Sequence, residues 1–388
     1  MERRLLHLSL LADPLSPFSG GMVGGRQVLV REAVRAVQSE GFGIDVLTAA
    51  GAGTEERSAL GHLARVVRLR TVPAGAPMDE AALAWGREAW DWIRSQRRHY
   101  QLMHSHHWMS GAVAAALRSD LGVPWVHSPW SMPDFDAQEP AMADAMRAQL
   151  ASADWIVMPY PAFADRVAAL VPGIRVRVIS PGVDMATFFP RDPGPMLKTL
   201  GQTQRGVLTV VGEADDGVHA LLEEWVRRHE SGAIPRDVLL MVAGMDAPAA
   251  SAADWAARGV RFLGTLPHRS LARYYSAAAA TVLPARHASL GMAALESMAS
   301  GTPVVATEVA GQASVVLTGE TGRLVAPLET GALLDAALEI QSQPALARRM
   351  SGAAVEHIRA HYARERMAKT LADLYQEVAG VPSLAAPS

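Results

Sequence analysis

The chain of 388 residues contains no cysteine, and no uninterrupted apolar run in it approaches the ~18 residues that span a bilayer. The first absence excludes disulfides, thiolate metal sites and cysteine nucleophiles, and fits a reducing compartment. The start of the chain is also unlike a signal peptide, because its apolar stretch is short, contains His7 and lacks a small-residue cleavage site. We therefore expect a cytoplasmic protein that does not insert into membranes.

No excess of either charge is present. The 36 basic and 39 acidic side chains give a formal net charge of −3, so no basic footprint for nucleic acid exists and none is expected as a partner. Hydrophobic residues make up 49% of the chain, which suits an α/β protein whose inner strands are covered on both faces. The length is sufficient for two domains of ordinary size.

Strand-like and helical segments alternate along both halves of the chain, which predicts parallel α/β units. The first half begins with a strand near residues 5–11, and the pattern restarts with a strand near residues 207–212. Between the halves, residues 179–195 contain four prolines and two glycines. Such a segment disfavours regular structure and predicts a linker.

Residues 286–307 are the most informative stretch. They indicate a loop ending at Gly291, a short helix carrying Glu296, a break at residues 301–303 and a buried strand at residues 304–306. This pattern resembles the donor-nucleotide segment of retaining family 4 glycosyltransferases. In that family one glutamate precedes a Pro-Phe-Gly-like loop and a second follows eight positions later. Glu296 matches the second, whereas Ala288 stands at the position of the first.

The resemblance covers nearly the whole chain and implies an α/β GT-B fold, with two Rossmann-like domains facing a central cleft. It implies an acceptor-side domain over residues 1–185, braced by a C-terminal helix at 360–378, and a donor-nucleotide domain over residues 196–359. A nucleoside diphosphate sugar is then the co-substrate. No metal or other cofactor is expected, because helix dipoles and cations do the diphosphate work in this family.

A glycine-rich segment joins the first strand to the first helix and ends at Gly24 and Gly25. Glycine lets a backbone approach a ligand closely, and the helix start beyond offers N–H groups and partial positive charge. A surface loop is the plain alternative. The string from Asp13 onward resembles the mycothiol-pathway N-acetylglucosaminyltransferase and sucrose-phosphate synthase group. This resemblance implies that Gly24 and Gly25 face the donor phosphates or the reacting sugar.

Three histidines follow one another closely where the strand near residues 102–104 ends, a position at which parallel sheets place ligands. They are His104, His106 and His107, and they could indicate zinc, but no carboxylate or further ligand lies at useful spacing. A packed or hydrogen-bonded role for one or two of them is the alternative. Because family members use this segment around the acceptor, His106, His107 and Trp108 are the acceptor-binding candidates, and no metal ligand is assigned.

Residues 124–131 resemble the strand that leads, in these enzymes, to a histidine followed by threonine or glycine beside the reacting sugar. Aligned on the strand, the histidine falls on Trp130 and the threonine on Ser131, while His127 lies three positions earlier. Trp130 could form an apolar wall for a sugar or a ring-bearing acceptor, or it could be core. With Gly25, these three residues are the catalytic candidates.

The donor candidates lie in the second half of the chain. Similar enzymes carry an arginine after Gly212 and a lysine before the next glycine, which clamp the diphosphate. Here those positions are Glu213 and Asp216, whose charges repel a diphosphate at short range. Arg261 and Leu263 lie in a strand-to-turn segment that resembles the nucleobase site of these enzymes. The predicted helix start offers backbone N–H groups for the phosphates at Leu290, Gly291, Met292 and Ala293. The resemblance implies that the carboxylate of Glu296 binds the donor ribose.

Taken alone, the turn at residues 261–264 could be an ordinary surface turn, and Glu296 an ordinary solvated side chain. The family resemblance implies sugar transfer with retention, in which the leaving phosphate helps to deprotonate the acceptor. Basic residues are lacking at 74–80 and 139–146, so we expect a small non-phosphorylated acceptor, of the kind found in bacterial specialised metabolism. The competing hypothesis is a GT-B binding protein that has lost transfer, because four family positions are altered. The sequence leaves open the nucleotide and whether the chain is a homodimer.

Overall fold

The computed structural model describes residues 3–15, 25–49, 56–69, 78–130, 140–211, 217–247, 252–287 and 290–380. The chain divides into two compact units. The first comprises Met1–Ser16, Arg26–Gly182 and Arg364–Ser388, and the second comprises Pro17–Gly25 and Val183–Ala363. Among the described residues, no helix is both long and apolar enough to cross a membrane.

Strands and helices alternate in both units. The strands are β1 (Arg4–Leu8), β2 (Gly43–Ala49), β3 (Glu56–Ala59), β4 (Ala64–Leu69), β5 (Leu102–His106), β6 (Trp125–Ser128), β7 (Trp155–Met158), β8 (Val176–Val178), β9 (Val207–Val210), β10 (Leu240–Ala243), β11 (Val260–Gly264), β12 (Ala280–Leu283), β13 (Val304–Thr307) and β14 (Gly322–Val325).

The helices are α1 (Gly25–Ser39), α2 (Met78–Gln96), α3 (His107–Leu121), α4 (Pro140–Ser152), α5 (Pro161–Leu170), α6 (Gly194–Leu200), α7 (Val218–Glu230), α8 (Ala252–Ala257), α9 (His268–Ala277), α10 (Met292–Ala299), α11 (Gln312–Val315), α12 (Thr330–Ser342), α13 (Pro344–His361) and α14 (Arg364–Ala379).

Each unit is built on one sheet. The first has the strand order β3-β4-β2-β1-β5-β6-β7-β8 and is parallel except for the antiparallel pair β3-β4. The second has the order β11-β10-β9-β12-β13-β14 and is wholly parallel. Its inner strands are buried apolar runs, because helices cover both faces of such sheets. The predicted parallel α/β fold class is confirmed.

Helix α14 packs into the core of the first unit although it comes last in the chain. Leu371 and Tyr375 are fully or almost fully buried there against Leu5 and Val34. The chain approaches closely at Gly182, where a Cβ would lie 2.7 Å from the Cα of Arg364. Only glycine fits this backbone contact, so the residue type fixes how α14 enters the unit. Truncating a buried leucine such as Leu371 to alanine costs about 2–5 kcal/mol.

Candidate active site

Strands β5 and β6 present polar side chains on both faces of the first sheet. In the parallel register, Ser105 lies opposite His127 and His106 lies opposite Ser128. Because side chains alternate along a strand, these two pairs are on opposite faces. His106 and Ser128 therefore lie on one face of the sheet, and Ser105 and His127 lie on the other.

His127 is a buried packing residue in this structure. Its Nδ1 atom lies 2.8 Å from the Ser105 hydroxyl, and its Nε2 atom lies 3.1 Å from Nε2 of Gln149. Burial lowers the pKa of the fully buried imidazole to about 3, so the ring is neutral. The structure does not bring His127 together with Trp130, which follows the strand on the His106 side.

The side chain of Trp130 stacks against the ring of His106. The two rings are stacked, with centroids 5.6 Å apart and an angle of 4° between their planes. Trp130 is 3% exposed, and its backbone is left-handed, with φ 64°. A left-handed conformation is strained for a bulky residue and is common where a side chain is held for function. Among the described residues, no group accepts the buried indole N–H.

The three predicted acceptor residues are brought together where β5 runs into α3. His106 ends β5, and His107 opens α3 with a second left-handed backbone, φ 70°. The His107 ring is 5.9 Å from that of the half-buried Trp108. Nε2 of His107 lies 3.5 Å from Nη1 of Arg26. Burial, and to a smaller extent the charge of Arg26, lowers the pKa of His107 to about 4, so it is a neutral ring at pH 7.

Sequence reasoning missed His7 on β1 and Tyr375 on α14, which lie on the same face as His104 and His106. His7 is opposite His104 in the sheet register, and the Tyr375 hydroxyl lies 2.5 Å from Nδ1 of His104. A histidine within an apolar strand was the available signal for His7. Nothing in the local sequence marks Tyr375, because its position depends on how α14 returns to the first unit.

In the second unit, helix α10 begins after Gly291, which is left-handed with φ 68° and provides no side-chain cap. Met292 is buried, and Leu290 and Ala293 are half-buried. The first turn of a helix presents N–H groups without intrahelical partners together with partial positive charge. This turn can therefore bind an anion through its backbone.

Glu296 lies one turn further along α10 and is 4% exposed, so it is not a solvated surface side chain. The hydroxyl of Tyr275 donates to its Oε2 atom at 3.2 Å, and Nε2 of His268 lies 3.4 Å from Oε1. Burial first, and then the neighbouring Glu296, raises the pKa of Tyr275 well above its usual value, which keeps the phenol a donor. These contacts hold the carboxylate in one position within the second unit.

The two predicted nucleobase residues are on β11. Arg261 and Leu263 are both half-buried. Nη1 of Arg261 donates to the carbonyl oxygen of Leu200 at 2.9 Å, which places that guanidinium at the end of α6. A contact from this segment to a base would rest on the backbone, as the resemblance implies.

Gly25 is the first residue of α1 and is half-buried. Six further positions lie outside the described residues: Gly24, Ser131, Gly212, Glu213, Asp216 and Ala288. Their assigned roles stay predictions.

Comparison with known proteins defines the class of this protein. Residues 23–187 match Glycosyltransferase Family 4, and residues 205–343 match Glycosyl transferases group 1. The D-inositol 3-phosphate glycosyltransferase of Actinosynnema mirum is 32% identical over 98% of both chains. That of Corynebacterium urealyticum is 28% identical over 98% of this chain and 96% of its own. The chain belongs to glycosyltransferase family 4, and the expectation of an enzyme is confirmed.

Solved structures confirm the fold. Sucrose-phosphate synthase from Thermosynechococcus elongatus superposes with a TM-score of 0.83 at 24% identity, covering 97% of this chain and 99% of its own. Anabaena HepE in complex with UDP superposes with a TM-score of 0.74 at 15% identity, covering 96% of this chain and all of its own. The predicted GT-B fold is therefore correct.

Proposed function

We propose that this enzyme transfers a sugar, with retention of configuration, from a nucleoside diphosphate sugar to a small non-phosphorylated acceptor. The observation that carries the proposal is the pairing of the α10 helix start with the anchored carboxylate of Glu296. The first offers N–H groups for a diphosphate, and the second offers an acceptor for ribose hydroxyls. Relatives of the same fold bind UDP, which supports a nucleotide donor.

Transfer with retention needs no protein nucleophile in this proposal. The leaving phosphate takes the acceptor proton on the same face of the sugar, and the first turn of α10 stabilises the negative charge on that phosphate. A metal ion is then not required for the transfer. The buried His107 is neutral, so it can orient an acceptor by hydrogen bonding without adding charge.

The character of the first unit supports an acceptor without a phosphate group. The half-buried Trp108 offers a stacking surface, and the neutral His107 ring offers a hydrogen-bonding group. On α4, Arg147 is paired with Asp144 at 2.8 Å. Such a surface suits a polar ring-bearing acceptor, and its assignment to specialised metabolism stays a prediction.

The relatives favour a second candidate, because both are named for D-inositol 3-phosphate. An acceptor assay with a panel of nucleotide sugars separates the two. We expect product with unphosphorylated polyols or amino sugars, and an NMR coupling that shows the donor configuration retained. Product from inositol 3-phosphate alone would establish the second candidate. An inverted linkage would exclude retention, and no product with any pair would favour a binding protein.

A further inference from the structure

His7, His104 and His106 form a compact cluster inside the first unit. His7 on β1 and His104 on β5 are opposite each other in the parallel register, and His106 follows two residues later on the same face. The exposed fraction of each side chain is 0–1%. Their ring centroids are 4.2–5.1 Å apart. Three imidazoles buried together in one core are not required by the glycosyl transfer proposed above.

The nitrogens of the three rings are close enough to share one ion. One nitrogen of each ring lies within 4.8 Å of the others, and Nδ1 of His7 is 3.0 Å from Nε2 of His106. Around a tetrahedral zinc ion with bonds of about 2.0–2.1 Å, neighbouring nitrogens lie about 3.4 Å apart. The pair at 3.0 Å is already near this spacing. The other pairs have to close by at most about 1.4 Å.

Hydrogen bonding within the protein satisfies two of the three rings only in part. Nδ1 of His7 and Nε2 of His106 face each other at 3.0 Å, whereas Nε2 of His7 and Nδ1 of His106 are buried without a partner among the described residues. Each of these two rings therefore has a single contact inside the cluster, and an ion bound between the facing nitrogens would replace that contact. All three rings are neutral because burial lowers their pKa, and neutral imidazole is the form that binds a metal.

His104 also has the outer contacts that orient a metal-binding imidazole. Its Nδ1 atom faces the Tyr375 hydroxyl at 2.5 Å, and its Nε2 atom faces the Ser128 hydroxyl at 2.7 Å. One of these contacts would remain when the other nitrogen binds the ion, which fixes the ring.

From this arrangement we infer that His7, His104 and His106 bind one divalent transition-metal ion of the zinc class. Imidazole is a preferred ligand of such ions. The ion would connect β1 to β5, with α14 in the outer shell through Tyr375. It would be a structural ion and would take no part in sugar transfer.

The test uses the full chain without a polyhistidine tag, stripped with a chelator and then loaded with Zn²⁺ or Co²⁺ alone. We expect one equivalent of zinc per chain to survive gel filtration, and cobalt to give the strong visible absorption of a low-coordinate site. At zinc near 100 times Kd, the melting temperature of the first unit should rise by roughly 5–10 °C. Failure of the wild-type chain to retain any zinc would overturn the inference.

Matched variants locate the ion. His7→Leu places an apolar side chain in the strand and should abolish the binding of zinc. His7→Cys supplies a thiolate ligand in place of the imidazole and should retain one equivalent of zinc per chain. His357 and His361 form a second histidine pair on α13, with ring centroids 5.1 Å apart, and could hold zinc adventitiously. The His357→Gln/His361→Gln double variant should keep the full equivalent. Loss of zinc in this double variant, or retention of it in a folded His7→Leu chain, would contradict the site. If His7→Leu does not fold, by circular dichroism, His106→Gln takes its place with the same expected loss.

Discussion

The indole of Trp130 is stacked against the imidazole of His106, with nearly parallel planes and 5.6 Å between the ring centroids. This contact joins a predicted catalytic residue to a predicted acceptor-binding residue. Trp130 is held in a left-handed backbone, and its N–H has no partner among the described residues. The predicted role of Trp130 can be tested through this N–H group.

Trp130→Phe should keep an aromatic ring against His106 while removing the indole N–H group and part of the buried ring. If the N–H group donates to the acceptor or sugar, turnover should fall about 2- to 12-fold, the worth of one hydrogen bond, with nucleotide affinity unchanged. The free energy of unfolding should also fall, because Trp130 is 3% exposed and the smaller ring leaves a cavity. Steady-state kinetics beside thermal melts measure both quantities.

Trp125→Phe is the matched control. The Trp125 indole donates to the Ser105 hydroxyl at 2.8 Å within the core. Trp125→Phe should therefore lower stability through the lost hydrogen bond, by about 0.5–1.5 kcal/mol, and further through the cavity that the smaller ring leaves, and it should spare turnover. A Trp130→Phe protein with full activity would remove the indole N–H from the site.

Glu296→Gln should weaken nucleoside diphosphate binding by about 1–3 kcal/mol, the scale of a hydrogen bond to a charged group. The buried position and the Tyr275 contact keep the side chain in place, so the folded structure should persist. Calorimetric titration gives the affinity. Tyr275→Phe removes only the donor that anchors the carboxylate and should cause a smaller loss. Wild-type affinity in a folded Glu296→Gln protein would exclude the ribose role.

Much of the fold could be predicted because its signals are local. Apolar strands that alternate with helices identify parallel α/β units, and the strands predicted near residues 102–104, 207–212 and 304–306 are present as β5, β9 and β13. Strand β3 was missed because Glu56–Ala59 is short and polar and lies on an edge. The predicted strand at residues 5–11 is too long, since β1 ends at Leu8.

The site could be predicted only in part. The start of α10 and Glu296 are marked by a contiguous motif, and the structure has the predicted helix after Gly291 with Glu296 on it, while their roles in donor binding stay predictions. The approach of His7 to His104 depends on β1 pairing with β5, and no local pattern encodes that long-range register. Strand alternation separates His127 from Trp130, which an alignment by position does not show.

The first unit should lose stability in mild acid. Burial lowers the pKa of His7 and of His127 to about 3, whereas an unfolded histidine titrates near 6.5. Below pH 6.5 the unfolded chain therefore binds more protons, and stability falls as the pH falls toward the folded pKa. Each such histidine contributes about 1.4 kcal/mol per pH unit in that window.

Urea unfolding between pH 7 and pH 5, with a chelator present, measures this slope. His7→Leu removes one buried group that resists protonation, so its stability should depend on pH less steeply by about 1.4 kcal/mol per unit well below pH 6.5. Equal slopes for the wild type and the variant would show that His7 takes up a proton in the folded chain.

The double variant Glu213→Arg/Asp216→Lys should bind a diphosphate more tightly, because the cations found in the family replace two carboxylates that repel it. The expected gain is several-fold in Kd and should shrink as salt is added. Comparing the Kd of a nucleoside diphosphate with the Kd of the nucleoside alone isolates the contribution of the phosphates to the affinity. A flat or lower affinity would indicate that other groups bind the diphosphate in this chain.

The central claim is that the second unit binds a nucleoside diphosphate through the start of α10 and Glu296. Calorimetric titration of the wild-type chain with UDP, GDP, ADP and TDP, in a chelating buffer, tests it most directly. We predict that at least one of the four binds at one site per chain without a divalent metal. Absence of binding by all four would contradict the account and favour a protein that has lost its donor.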